Sequence, residues 1–235
     1  MLYIIGLGLN EKGYSKEAYE IISKADKVYV DTYTIEFPYE ISELVKQFKG
    51  KKFMAVGREF VEGLNFLGGA KENDVVLLVY GSPLVATTHT AIIKEAIEKK
   101  IKIKIIHAGS ILDAVAETGL QPYKFGKTTS LPNFPADSYL KIVRENLKVK
   151  AHTLILVDIG LKFEDAIKRL KEDCKNMKVN IGKVVVCERL GLKDSHIYYK
   201  DIESLKKEKI KAPFCFIIPG ELHFMEKEFL EGFKV

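Results

Sequence analysis

The sequence predicts an α/β protein built from two α/β domains, the first over residues 1–110 and the second over residues 111–235. Short apolar runs alternate with segments of helical periodicity along the whole chain. In the first half these runs contain few polar residues, which is typical of strands in a parallel sheet covered on both faces. With 235 residues, 47% of them hydrophobic, the chain is long enough to form two cores.

The first half is predicted to repeat a strand and a helix several times. Ser15 stands where a helix N-cap is expected, and Ala18 and Ile22 are spaced to form one buried face of the helix that follows. The other elements rest on the same kind of periodicity. The predicted strands are 2–6, 27–31, 52–56, 75–80 and 101–107, and the predicted helices are 15–25, 39–48, 59–70 and 88–99.

The pattern changes after "HAGSI" at residues 107–111, which places the domain boundary there. The stretch "HIYYKD" follows closely on the preceding strand and alternates in polarity. This alternation predicts an antiparallel hairpin partner, and hence a mixed sheet in the second domain. The predicted strands are 124–130, 153–159, 183–190, 196–199 and 214–218, and the predicted helices are 137–147, 163–176 and 221–232.

Composition and charge limit the partners that we expect. The net charge is +5, and basic and acidic residues are interspersed. The basic stretch "KKEKIK" at residues 206–211 contains no aromatic residue, so it predicts a solvated helix surface and no direct nucleic-acid contact. No apolar run approaches the roughly 20 residues that span a bilayer, so we expect no membrane association. Widely spaced Cys174, Cys187 and Cys215, and no secretory signal peptide, predict reduced thiols and a cytoplasmic location.

Three predicted loops form a candidate ligand site, because each follows the carboxyl end of a predicted parallel strand. They contain Leu9, the stretch 81–85 ("GSPLV"), and Ser110 with Ile111. Glycine in these loops lets a ligand approach the backbone closely. Within the second loop, serine followed by proline predicts a turn that points free N–H groups outward, which suits a small anion.

The first loop also supports an alternative. Gly6 and Gly8 follow the first strand, and Asp31 ends the second strand, as in the GxGxxG fingerprint of dinucleotide-binding domains. A nicotinamide-dependent oxidoreductase is therefore a second hypothesis. Against it, Glu11 occupies the position of the third glycine, and Gly13 delays the helix that should begin there.

The usual catalytic motifs do not occur. The histidines form no HExxH pattern, and neither GxSxG nor a P-loop is present. We therefore expect no metal site, and the catalytic residues are unassigned. The pattern indicates a cofactor bound through backbone and small side chains, and a reaction driven by that cofactor. Asp31, Tyr33 and His89 fall near the ends of predicted strands and are candidates for orienting an acceptor.

Several longer stretches resemble a known family. In order along the chain they are "LYIIGLGLN", "GSPLVATTH", "IHAGSI", "TGLQPYKFGKT", "AHTLILVDI" and "IIPGELHFMEKEFL". Together they resemble the diphthine synthases, which are tetrapyrrole-methylase-like (class III) methyltransferases. The resemblance implies two α/β domains with S-adenosylmethionine bound in a cleft between them, S-adenosylhomocysteine as product, and a homodimer. It also implies methylation of the amino group of a modified histidine on translation elongation factor 2, which gives diphthine in diphthamide biosynthesis. Archaeal members add three methyl groups.

The resemblance also implies which residues contact the cofactor. They are Leu9, Ser82, Val85, Ser110 and Ile111 in the first domain, and Val157, Leu190 and Phe214 in the second. Two of these positions depart from the family pattern. The family usually has Gly-Asp-Pro where this chain has Gly-Ser-Pro at residues 81–83, and the last contact is often a histidine where this chain has a phenylalanine.

Two further hypotheses share the cofactor. One is a methylase of the same fold that acts on a tetrapyrrole or on ribosomal RNA. The other is a binding protein without catalytic activity, because Ser82 supplies no charge opposite the cofactor's cation.

Overall fold

The computed structural model describes residues 1–233, which divide into two compact units, Met1–Asp113 and a second unit that begins at Ala114. The boundary predicted after residue 110 falls at the start of the short helix Ile111–Ala114, which contains this division. Within residues 1–233, every helix is too short or too polar to cross a bilayer.

The first unit contains a five-stranded sheet in the order β3-β2-β4-β1-β5, in which every pair of neighbours is parallel. The carboxyl ends of the strands therefore lie along one edge of the sheet. Its residues are almost all apolar because helices cover both faces. The strands are β1 (Leu2–Gly6), β2 (Lys27–Asp31), β3 (Phe53–Val56), β4 (Val75–Val79) and β5 (Ile103–Ile106).

The helices of this unit form two layers around the sheet. One hydrophobic cluster joins the sheet to α1 and α2, and a second joins it to the later helical segments. The cap predicted for α1 is confirmed, because the backbone N–H of Ala18 donates to Oγ of Ser15 over 3.1 Å. The helices are α1 (Lys16–Lys24), α2 (Ile41–Val45), α3 (Arg58–Glu62) and α4 (Thr90–Glu98), followed by α5 (Ile111–Ala114) at the division between units.

The prediction of one helix over residues 59–70 is wrong. The structure has α3, then a break, then the 3₁₀ helix Asn65–Lys71. At the break, Gly63 ends α3 and Leu64 adopts a left-handed conformation with φ of 56°. The two consecutive glycines at positions 68 and 69 also weaken an α-helix here, because glycine loses the most backbone entropy on ordering.

The second unit contains a mixed five-stranded sheet in the order β6-β7-β10-β8-β9. Only the β6–β7 pair is parallel. The predicted hairpin is confirmed, because β9 pairs antiparallel with β8. Its strands are β6 (Thr129–Leu131), β7 (Thr153–Val157), β8 (Val184–Glu188), β9 (His196–Lys200) and β10 (Phe214–Ile218), and its helices are α6 (Ser138–Lys148), α7 (Phe163–Asn176), α8 (Ile202–Leu205) and α9 (Phe224–Glu231).

The prediction of a strand over residues 124–130 is wrong for most of its length. The 3₁₀ helix Pro122–Lys124 comes first, and the strand β6 begins only at Thr129. Between them, Asn146 bonds both backbone groups of Lys127: its Oδ1 accepts from the N–H over 3.0 Å, and its Nδ2 donates to the carbonyl over 2.8 Å. A side chain therefore takes the place of a neighbouring strand.

Two helix predictions in this unit also need correction. The last helix begins at Phe224 and not at residue 221, because His223 caps it and Glu226 closes the capping box. The basic stretch 206–211 is not helical, since α8 ends at Leu205 and turns follow. The three cysteines are buried and free, as predicted.

Candidate functional site

The carboxyl edge of the first sheet gathers the three predicted loops. Strands β4, β1 and β5 are neighbours in that order. Leu9 follows β1, Ser82 and Val85 follow β4, and Ser110 with Ile111 follows β5. The topology therefore brings all five predicted residues of this unit to one edge, where ligands bind in open α/β sheets.

The glycines of the first loop serve close packing between chain segments. The backbones of Gly8 and Gly81 bond to each other in both directions, over 3.2 and 2.9 Å. A Cβ atom on Gly6 would lie 2.6 Å from the carbonyl oxygen of Gly81, and Gly8 has a φ of 69°. The close contact between the first two loops is therefore enough to explain these glycines. A dinucleotide-binding fingerprint is not needed to account for them.

The second and third loops leave the backbone open. Apart from the adjoining residues, no atom of residues 1–233 lies within 4 Å of the position that a Cβ would take on Gly81 or on Gly109, so a ligand can approach the backbone at both places. The predicted turn is present, because the N–H of Val85 donates to the carbonyl of Ser82 over 3.2 Å. Ser110 is used locally, since its Oγ accepts from the N–H of Leu112 over 3.1 Å.

Tyr80 is a functional candidate that the sequence reasoning missed. Its hydroxyl donates to the carbonyl of Leu9 over 2.9 Å and so ties the first loop to the end of β4. The ring also contacts Tyr39 and Phe37. The hydroxyl of Tyr39 is buried and has no hydrogen-bond partner among the described residues. Burial, together with the charges of Tyr80 and Glu11, raises the pKa of Tyr39 well above its ordinary value. The sequence signal for it was an aromatic residue at the end of the predicted strand 75–80.

Asp31 and His89 meet in the interior of this unit, and both are completely buried. The Nε2 atom of His89 lies 3.0 Å from Oδ2 of Asp31, although the angle is outside hydrogen-bonding geometry. The carboxylate accepts bonds from the N–H of Tyr33 over 2.8 Å and from the hydroxyl of Thr34 over 2.7 Å. On the other side of the imidazole, Nδ1 lies 3.0 Å from the carbonyl oxygen of Pro83.

Asp31, Tyr33 and His89, the candidates for orienting an acceptor, thus lie close together but differ in their exposure to solvent. Asp31 and His89 are enclosed, so neither touches a ligand from solvent. Tyr33 is half-buried, and its hydroxyl shares a hydrogen bond with the hydroxyl of the exposed Thr88. Of the three, Tyr33 is the one with a polar group at the surface.

The predicted residues of the second unit also share one sheet edge. Val157 ends β7, Leu190 follows β8 and Phe214 begins β10, and these strands are adjacent, with β10 running opposite to the other two. The backbone N–H of Arg189 donates to the carbonyl of Pro213 over 2.9 Å, which fixes the loop beside Leu190. Phe214 is only 8% exposed, and its ring packs in the core. Little of this side chain is therefore accessible for the cofactor contact that a histidine often makes at this position in the family.

The closing motif "PGELH" lies elsewhere, beyond the far end of β10, next to a buried carboxylate. Glu226 is 1% exposed and accepts from Nζ of Lys124 over 2.5 Å, from two backbone N–H groups, and from Nε2 of His152 over 3.1 Å. The tautomer of His152 is fixed because its Nδ1 accepts from the N–H of Gly220 over 2.9 Å. Burial alone would raise the pKa of Glu226, but these bonds lower it to about 2. These bonds hold the start of α9 against the segments that contain Gln121, Lys124 and His152.

Comparison with known proteins agrees with this architecture. The family described as tetrapyrrole (corrin/porphyrin) methylases matches residues 1–206. The diphthine synthase of Methanococcus maripaludis is 36% identical over 249 residues and that of Methanocaldococcus jannaschii 36% over 254 residues, with 98% of each chain covered in both cases. A crystal structure of a diphthine synthase matches with a TM-score of 0.91 and 34% identity, covering 99% of this chain and 95% of the other.

These matches span nearly the whole chain, and they agree with the predicted fold class of two α/β domains of the tetrapyrrole methylase type. They favour a methyltransferase over a nicotinamide-dependent oxidoreductase. The chain is a methyltransferase that belongs to the tetrapyrrole methylase family and, within it, to the diphthine synthases.

Proposed function

We propose that this protein transfers methyl groups from S-adenosylmethionine to the amino group of the modified histidine of translation elongation factor 2, giving diphthine in diphthamide biosynthesis. The observation that carries the proposal is the full-length similarity to diphthine synthases. We place the reaction in the cytoplasm and the enzyme in a homodimer, with no direct contact to nucleic acid or membrane.

The residues present fit the cofactor. A ligand with a ribose, an amino acid and an adenine needs both exposed backbone groups and apolar contact area. The open backbone at Gly81 and Gly109 supplies the first. The half-buried side chains of Leu9, Val85 and Ile111 supply the second at the same edge. The full set that we assign to the cofactor is Leu9, Ser82, Val85, Ser110, Ile111, Val157, Leu190 and Phe214.

The task of the chain is to hold and orient the reactants. Bound S-adenosylmethionine supplies a methyl group that its sulfonium has already activated. An amine attacks only in its neutral form, and apolar surroundings lower the pKa of an amine, so partial burial at this edge favours the reactive form. Holding the reactants at attack distance contributes about 7–11 kcal/mol to lowering a barrier. We assign the hydroxyl of Tyr33 a part in orienting the acceptor, because it is accessible beside the Ser82 loop.

Intact-mass spectrometry tests the proposal directly. Elongation factor 2 that carries the unmethylated aminocarboxypropyl histidine is incubated with this protein and S-adenosylmethionine. We expect a gain of one to three methyl groups, since the resemblance implies as many as three. These groups should persist in mild alkali, because a methyl ester is hydrolysed there and an N-methyl group is not.

Two controls make this result specific. Omission of S-adenosylmethionine, and elongation factor 2 with an unmodified histidine, should both give no gain in mass. With folded enzyme and verified acceptor, no gain in the complete reaction would exclude the diphthine assignment. Tetrapyrroles and ribosomal RNA would then be the acceptors to test, followed by NAD binding.

Replacing Ser82 with aspartate restores the carboxylate that the family usually has at this position. We expect equal or tighter binding of S-adenosylmethionine, because the new carboxylate is placed opposite a cation. The gain should be smaller for S-adenosylhomocysteine, which lacks the sulfonium charge. Isothermal titration calorimetry of both ligands measures the difference, and Ser82→Asn is the matched neutral control. A large loss for aspartate alone would show that this loop does not face the cofactor's positive charge.

A further inference from the structure

The loop between β4 and α4 depends on side chains near its own carboxyl-terminal end. It carries Ser82 and Val85, which are assigned to the cofactor, yet it contains no regular secondary structure. Ala86 within it has a φ of 55°, a left-handed conformation that is unfavourable for any residue with a Cβ atom. Such a conformation persists only where surrounding contacts fix it.

Those contacts converge on the carbonyl oxygen of Pro83. It accepts a bond from the hydroxyl of Thr87 over 2.9 Å and lies 3.0 Å from Nδ1 of His89. Because a carbonyl oxygen only accepts, Nδ1 must carry the proton in this contact. The bond from His89 is completely buried, so water does not replace it when it is lost.

The imidazole also contacts the end of β2. Its other nitrogen faces Oδ2 of Asp31 over 3.0 Å. Asp31 ends β2 and is held by the N–H of Tyr33 and the hydroxyl of Thr34. The ring therefore spans from the end of a central strand to the loop: it is hydrogen-bonded to the loop through Nδ1, and its Nε2 touches Asp31 without a hydrogen bond.

We propose that His89 is a positioning residue, which holds the Pro83 carbonyl and thereby sets the place of Ser82 and Val85. That this loop binds the cofactor rests on the proposed function. The hydrogen bond between His89 and the loop is independent of that proposal. We assign His89 no catalytic role, because its side chain is completely buried and a substrate that arrives from solvent does not reach it. Its effect on the reaction passes through the loop.

Two substitutions of similar polarity separate the two ends of the imidazole. In His89→Asn the amide nitrogen can take the place of Nδ1 and keep the bond to Pro83. In His89→Gln the longer side chain puts its amide near the position of Nε2, towards Asp31. We expect the asparagine variant to keep the wild-type dissociation constant for S-adenosylmethionine within about threefold, and the glutamine variant to weaken it about tenfold. At saturating cofactor, kcat should change little in both.

A second readout needs no cofactor. The amide N–H of Val85 is bonded to the carbonyl of Ser82 within the same loop. Its hydrogen exchange should accelerate about tenfold in His89→Gln and stay near the wild-type rate in His89→Asn. This measurement keeps the two proposals distinct, because a wild-type protein that fails to bind S-adenosylmethionine would still show the difference.

A destabilised variant of the same unit gives the matched control. Leu67 is buried in the 3₁₀ helix Asn65–Lys71, which precedes the amino-terminal end of β4, whereas the loop follows the carboxyl end. Leu67→Ala should lower the Tm while leaving both the dissociation constant and the exchange at Val85 unchanged. The proposal would be overturned if His89→Asn and His89→Gln had the same dissociation constant and the same exchange rate at Val85. It would also be overturned if, across these two variants and Leu67→Ala, both quantities simply followed the Tm.

Discussion

Replacing Glu226 with glutamine is expected to lower the free energy of unfolding by about 3 kcal/mol, the loss typical of a broken buried ion pair. The carboxylate is 1% exposed and accepts four bonds. A glutamine side chain replaces one carboxylate oxygen with an NH₂ group, so in either orientation of the amide two of these four donors are left facing another donor. Chemical denaturation of both proteins at pH 7 measures the difference.

The same carboxylate predicts how stability depends on pH. Burial raises the pKa of Glu226, but the bonds from Lys124, from backbone N–H groups and from His152 lower it from 4.5 to about 2. Because the folded-state pKa is the lower one, this contribution is complete above pH 4.5 and is lost as the pH falls towards 2. Burial also lowers the pKa of His152 below its ordinary value of 6.5. The unfolded chain therefore binds the proton first, and this histidine too lowers the free energy of unfolding as the pH falls below 6.5. The difference between wild type and Glu226→Gln should therefore shrink by about half at pH 3.

The matched control is Glu221→Gln in the same segment. Glu221 pairs with Lys150 over 2.5 Å, but both side chains are more than 60% exposed. Solvent screens such a pair, so no measurable change in stability is expected. Equal stability of Glu226→Gln and wild type at pH 7, or a difference that grows below pH 4.5, would contradict the role assigned to the buried carboxylate.

Replacing Gly6 with alanine is the second change with a large expected effect. The new Cβ would lie 2.6 Å from the carbonyl oxygen of Gly81, 2.9 Å from Cδ of Pro83 and 3.0 Å from Cβ of Ala108. Overpacking of this kind costs about 2 kcal/mol of stability. Because the three clashing atoms belong to the loops assigned to the cofactor, we also expect S-adenosylmethionine to bind about tenfold more weakly, an effect near 1.4 kcal/mol.

Gly68→Ala is the control for this substitution. Gly68 is exposed, and a Cβ there would meet no atom within 4 Å in the part of the chain that the structure describes, its own helix backbone apart. Replacing it should leave cofactor binding unchanged and stability equal or slightly higher, because alanine restricts the unfolded chain more than glycine does. Calorimetric titration and thermal unfolding of the two variants give both quantities. Wild-type affinity in a stably folded Gly6→Ala protein would contradict the assignment of these loops to the cofactor.

Local sequence signals predicted the parts of the fold that depend on local physics. The apolar strands of the first unit, the Ser15 cap and the β8–β9 hairpin are confirmed. So is the common edge of Leu9, Ser82 and Ser110, because parallel strands place their carboxyl ends together. Their assignment to the cofactor stays a prediction.

The parts that sequence reasoning missed depend on contacts between distant residues. The strand predicted near residue 127 fails because Asn146, far along the chain, bonds its backbone. The bond from Tyr80 to Leu9 and the contact of His89 with Asp31 likewise join segments that no local periodicity relates. Phe214 was assigned from the resemblance alone, and only the packing of its ring shows how little of it is exposed.

The strand order of the first unit has a consequence for synthesis on the ribosome. β1 is made first, yet its two neighbours are β4 and β5, which are the last strands of the unit to be made. A nascent chain therefore carries β1 without any partner until β4 has been made, and with one edge unpaired until residue 106 has left the exit tunnel. Parallel pairing over such long separations forms slowly, and exposed apolar strands favour aggregation in the meantime. The sheet is thus completed only after translation of the entire unit.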